Sequence, residues 1–192
     1  SGLILLFLVF KFGVVIPVFF IFFSFLMLLA LSMIDLKYKM VPDSLNILAI
    51  LFAIIGAWSL DSMLINFHNA LLFAGGFTLL RFTISYILTS SSRRASKKTI
   101  TSWTKNYDNM PFIEAMGEGD IMVAATMGAL LGIKLALVAI FLSAVLALPI
   151  MLLLQNKSVE EQRVAFVPFL TLATFIVYIF DSPILAYLKV NY

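Results

Sequence analysis

The 192 residues contain no cysteine and a single histidine, His68. Thiol nucleophiles, disulfides, iron–sulfur ligands and Cys-type zinc sites are therefore excluded, and an imidazole-based triad or metal site is short of members. Chemistry falls to carboxylates, amines and hydroxyls. Of the ten acidic residues, Asp61, Asp108, Glu160, Glu161 and Asp181 lie in loops or near the ends of apolar runs, where water solvates them. Asp35 and Asp120 differ by position: Asp35 directly follows an uncharged run, and Asp120 closes Gly117-Glu118-Gly119-Asp120 and opens another apolar run. Two carboxylates that meet share one proton, because both cannot stay charged at contact distance. The ionised member can then take a proton from water as that water attacks a peptide carbonyl. The protonated member hydrogen-bonds the carbonyl oxygen and later helps protonate the leaving amine. No metal takes part in such a scheme.

The residues around Asp120 are small. Gly117 and Gly119 flank Glu118, giving the main chain torsional freedom and room for close approach. Ala124, Gly128 and Gly132 follow Asp120 at steps of four. On a helix these form one flat face beneath the carboxylate, the pattern by which membrane helices pack backbone to backbone, and helix 12–34 is expected to pack there and deliver Asp35. Asp43, in Val41-Pro42-Asp43-Ser44, reads as the N-cap of the next helix. Glu114 and Glu118 read as solvated loop acids, and His68 as a span-end residue without a chemical role.

The elements that must position these acids are membrane helices. Hydrophobic residues make up 62% of the chain and charged residues 12%, with mean hydropathy +1.09, against about half and a quarter in soluble domains. A span needs about 20 apolar residues, and seven runs are readable: a short one at 1–10, then 12–34, 44–60, 63–88, 118–133, 135–154 and 166–188. The expected fold is all-α, a polytopic transmembrane bundle of about six to seven spans forming one membrane-embedded domain over 1–192. Loops 35–43, 89–117 and 155–165 hold Lys37, Lys39, Arg93, Arg94, Lys97, Lys98, Lys105, Lys157 and Arg163, while the other side holds Lys11, Lys134 and Lys189. The excess of basic residues puts those three loops, and with them Asp35 and Asp120, in the cytoplasm. Arg81 is expected to snorkel to that surface, and Ser90-Ser91-Ser92-Arg93-Arg94 to be a mobile loop meeting anionic lipid. The net charge of +3 thus reports topology and lipid contact, with no nucleic-acid partner implied. The rival reading, a proton-coupled transporter using the same acids, would place them near the bilayer midplane, commonly with internal repeats; no repeat is seen.

At these residues the chain resembles the type IV prepilin peptidases, membrane aspartic proteases of the GxGD kind. Leu29-Ala30-Leu31-Ser32-Met33-Ile34-Asp35 followed by Val41-Pro42-Asp43 resembles the family's first aspartate segment. Met116-Gly117-Glu118-Gly119-Asp120, continuing through Ala124, Ala125, Gly128, Leu131 and Gly132, resembles its GxGD segment. Ala165-Phe166-Val167-Pro168-Phe169 resembles its late Pro-Phe-Gly-Pro-Phe segment, with Ala165 and Val167 in place of the first Pro and the Gly. The resemblance implies Asp35 and Asp120 as the catalytic pair, with Gly117, Gly119, Ala124 and Gly128 as supporting motif. It implies a prepilin or pseudopilin substrate, cut after a glycine where a basic cytoplasmic leader meets an apolar helix, in the bacterial inner membrane. No cofactor serves the proteolysis. Many members also carry an N-terminal domain with paired Cys-x-x-Cys motifs and methylate the new N-terminus with S-adenosylmethionine. This cysteine-free chain starts downstream of that region, which leaves methyltransferase activity open between a removed leader domain and a shorter, peptidase-only kind.

Overall fold

A computed structural model describes residues 2, 4, 6, 8, 9, 16–59, 63–99, 117–154 and 165–191, without side-chain detail at 59, 91–99, 154 and 189–191. Glu114 and the basic residues Lys11, Lys105, Lys157 and Arg163 lie outside the described residues. All the regular structure described is helical: α1 Ile16–Tyr38, α2 Asp43–Gly56 with a 3-10 turn at Ala57–Ser59, α3 Met63–Thr99, α4 Glu118–Leu154, α5 Val167–Ile179 and α6 Asp181–Asn191.

Long apolar runs favour helices in lipid because every main-chain polar group is then satisfied within the segment. Helix α1 has 23 residues and crosses ~35 Å at 1.5 Å per residue. It carries on through Asp35 and closes at Lys39, whose φ of 52° turns the chain left-handed while its N–H donates to the Asp35 carbonyl at 2.8 Å. Asp35 therefore lies inside the last turn of a helix, rather than at the head of the expected loop 35–43. Helix α2 begins at Asp43 itself. Its N-cap is Pro42, with no side-chain capping bond, so the expected capping role of Asp43 is not realised. Helix α3 runs unbroken to Thr99, so the expected loop at Ser90–Arg94 is helical: no Gly or Pro interrupts 77–99.

By length and composition three helical stretches can cross a membrane, Ile16–Tyr38, Met63–Ser90 and Glu118–Leu153. A fourth arises if α5 and α6, bent by 77° at Phe180, count as one. The expected six to seven spans are not reached among the described residues, for local reasons. Half of the run 1–10 lies outside them, α2 is only 14 residues long, and 118–133 and 135–154 join into one helical stretch broken at Gly132. That stretch leaves helical torsions at Gly132 (φ 69°, ψ 179°), two residues before Lys134, where a turn was expected. It cannot be straight. As one straight helix its 37 residues would extend ~55 Å at 1.5 Å per residue, beyond the ~40 Å that the chain from Leu154 to Ala165 can reach back.

Helix α1 packs on α2 and α5, and α4 packs on α3, α5 and α2. Phe25 of α1 meets Phe175 and Tyr178 of α5 edge-on, with ring centres 5.6 and 5.2 Å apart. Ser24 Oγ donates to the Ala49 carbonyl at 3.0 Å, tying α1 to α2. The small-residue face of α4 is covered from α3: a Cβ on Gly128 would lie 2.6 Å from the Phe73 ring and 2.7 Å from the Asn69 carbonyl oxygen. The expected packing of helix 12–34 on that face is not seen among the described residues: α3 meets it at Gly128 and Gly132.

Candidate active site

Three stretches far apart in sequence converge at one end of the bundle. Asp35, 6% exposed, accepts a hydrogen bond at Oδ2 from the backbone N–H of Val167 at 3.2 Å. Val167 is the first residue of α5 and Pro168 the second. The bonded N–H is one of the first-turn donors a helix leaves unpaired, and it points from the positive end of the helix dipole at a carboxylate. Sequence reasoning treated the 165–169 segment only as a resemblance; its main-chain donor is visible only in three dimensions.

The Gly117–Asp120 turn begins α4 beside the connection that follows α1. A Cβ on Gly119 would lie 2.4 Å from Val41 Cβ, so the valine side chain occupies the space the glycine leaves open. Asn46 of α2 donates from Nδ2 to the Gly119 carbonyl at 3.4 Å. The Asp120 carboxylate is hydrogen-bonded by the backbone N–H of Gly117, three residues earlier, the return half of a capping box. Asp35 is within electrostatic reach of Asp120. The expected acids thus sit together at one end, between α1, α2, α4 and α5.

The glycines act differently from expectation. Among the described residues Gly132 is the glycine with positive φ, so Gly117 and Gly119 use no unusual torsion. Gly119 serves close approach to Val41, and a Cβ on Gly117 would make only an ordinary 3.6 Å contact with Asp120 Oδ2. Ala124 is fully buried one turn below the acid. Glu118, expected to be a solvated loop acid, opens α4 and pairs with Arg81 Nη1 at 3.0 Å; their side chains are 80% and 14% exposed. Arg81 therefore has a protein partner in addition to any route to the surface. Sequence reasoning missed Asn46, although a lone amide in the run Leu45-Asn46-Ile47-Leu48-Ala49 was a readable signal.

A multi-helix membrane protein with two acids held together at one end of its bundle is the class that fold and site define. A model of the type IV leader peptidase family matches residues 20–152, well over half of the chain and inclusive of both acids, and the chain belongs to that family. No curated protein and no solved structure matched it. Family membership makes this a protease of the leader peptidase type.

Proposed function

We propose that the chain is an aspartic endopeptidase that removes the basic leader from type IV prepilins and pseudopilins at the cytoplasmic face of the bacterial inner membrane, with Asp35 and Asp120 as its catalytic pair. The observation that carries this reading is that two acids, 85 positions apart in sequence, lie at one end of the bundle within electrostatic reach of each other in a leader peptidase family member. In the proposed step the ionised acid takes a proton from water while the water oxygen bonds to the scissile carbonyl carbon. The protonated acid hydrogen-bonds the carbonyl oxygen. Collapse of the tetrahedral intermediate breaks the C–N bond, and the proton passes to the leaving amine.

The Val167 N–H supports the role of Asp35 by holding one carboxylate oxygen in a fixed direction, leaving the other to face Asp120 or water. The Gly117 N–H does the same for Asp120. Proteolysis by this route uses no metal or cofactor, and S-adenosylmethionine would matter only for a methylation carried out by the full-length protein.

Asp35→Asn and Asp120→Asn, each purified in detergent with an unchanged melting temperature, should lose cleavage of a prepilin by at least about a thousandfold, as removal of an essential general acid or base does. Robust cleavage by either variant overturns the pair. Cleavage by the parent chain should survive EDTA, and its rate against pH should be bell-shaped, as for a pair that works with one shared proton.

A further inference from the structure

Asn46 is a polar residue that the proposed chemistry leaves without a role. It lies one turn into α2, between Leu45 and Ile47, with none of its surface exposed. Its Nδ2 donates to the Gly119 carbonyl, and its Oδ1 is buried with no donor among the described residues. A buried acceptor without a donor carries a desolvation cost that an apolar side chain would not. Stability alone therefore argues against an amide here. Among the described residues, the hydrogen bond that the amide side chain makes goes to the residue immediately before Asp120, on the glycine that Val41 also covers.

We propose that Asn46 is a positioning residue for the acid pair. By holding the Gly119 carbonyl it sets the main chain that carries Asp120, while Asp35 is fixed independently from α5 through the Val167 N–H. The two acids are thus anchored from different elements, and their separation depends on both anchors. This inference rests on the aspartic peptidase reading. A 3.4 Å hydrogen bond is long, and contacts of this kind tighten when substrate fills a site. Loss of the anchor would act on the reacting geometry, where displacements of about 1 Å are costly, and not on affinity for a leader bound elsewhere along the chain.

The test compares Asn46→Leu and Asn46→Ala in the full chain, in detergent, with a prepilin as substrate. Both should lower kcat by about tenfold or more, the size of one lost hydrogen bond, with KM within about twofold of the parent. N46L should melt no lower than the parent, because it replaces a half-satisfied amide with apolar volume. The two substitutions change side-chain volume in opposite directions, so equal losses in kcat mark the amide and not the packing. A parental kcat in either folded variant overturns the proposal, as does a loss of kcat in N46A alone that tracks its melting temperature. If N46L fails to insert, N46A decides: reduced kcat at unchanged KM supports the role, and parental kcat ends it. Asp35→Asn and Asp120→Asn run alongside. Cleavage by those variants sinks the aspartic reading and this inference with it, whereas their inactivity beside fully active Asn46 variants sinks only the positioning role.

Discussion

At the scale of single residues, the geometry at Gly119 is the most demanding feature of the site. No side chain fits between its Cα and Val41, since a Cβ would lie 2.4 to 2.9 Å from three valine carbons. Gly119→Ala should therefore push the Val41–Pro42 connection away from α4, with an overpacking cost of about 1–3 kcal/mol and a matching fall in cleavage. Valine at 41 is the cause, so Val41→Ala in the same chain should restore part of both losses; a double-mutant cycle with zero coupling would show that the contact does not govern the site. Glu118 is a contrasting case. Its ion pair with Arg81 is largely exposed on the glutamate side, and such pairs contribute about 0–1 kcal/mol. Glu118→Gln should change the melting temperature little and keep most of the cleavage activity; a loss comparable to that of Asp120→Asn would give Glu118 a part in the chemistry.

At the scale of elements, α4 shows how one small-residue face and one broken turn organise the bundle. Gly128 lies against Phe73 and Asn69 of α3, so Gly128→Leu should separate α3 from α4 and reduce both thermal stability and cleavage. An unaffected variant would remove that contact from the list of supports. Gly132 has a different reason to be glycine: its φ of 69° with ψ of 179° is a region closed to side-chain-bearing residues. Gly132→Ala should cost about 1–3 kcal/mol in stability. Because the site is at the opposite end of the first segment of α4, kcat of the surviving folded fraction should remain near parental. A fall in kcat at full folding would mean that the break transmits to Asp120.

At the scale of the whole molecule, contacts sort the connections into two ends. Asp35, Val41, Gly119 and Val167 meet at one end. At the other, Ala57, Asn66, Gly132, Tyr178 and Asp181 line a cavity of about 180 Å³. This agrees with the grouping of the basic loops on one side. A chain without cysteine lends itself to single-cysteine labelling in cells. Exposed Lys134, next to the break, should react as Lys134→Cys with a membrane-impermeant thiol reagent applied outside, whereas Lys39→Cys, one turn beyond Asp35, should react only after the membrane is opened. The reverse pattern would invert the proposed orientation and put the acids on the wrong side for a cytoplasmic leader.

Much was legible in the linear order of residues. Runs of apolar residues dictate helices in lipid, the excess of Lys and Arg sorts the loops, and the absence of cysteine with a single histidine leaves the acids to carry chemistry. Asp35 and Asp120 stand out because each is a charge at the edge of such a run. What packs on what was not legible. In a soluble helix the apolar stripe announces the buried face, but here nearly every face is apolar and lipid is as good a partner as protein. The small face of α4 could therefore be found, but its partner, α3 in place of α1, could not. The bend at Phe180 likewise divides one apolar run into two short helices in a way that hydropathy does not register. Only the tertiary structure brings the N–H of Val167 to Asp35 across 132 positions and the amide of Asn46 to Gly119 across 73. Such bonds depend on where helix ends arrive in space, and that is decided by the packing of whole helices and not by any local run of side chains.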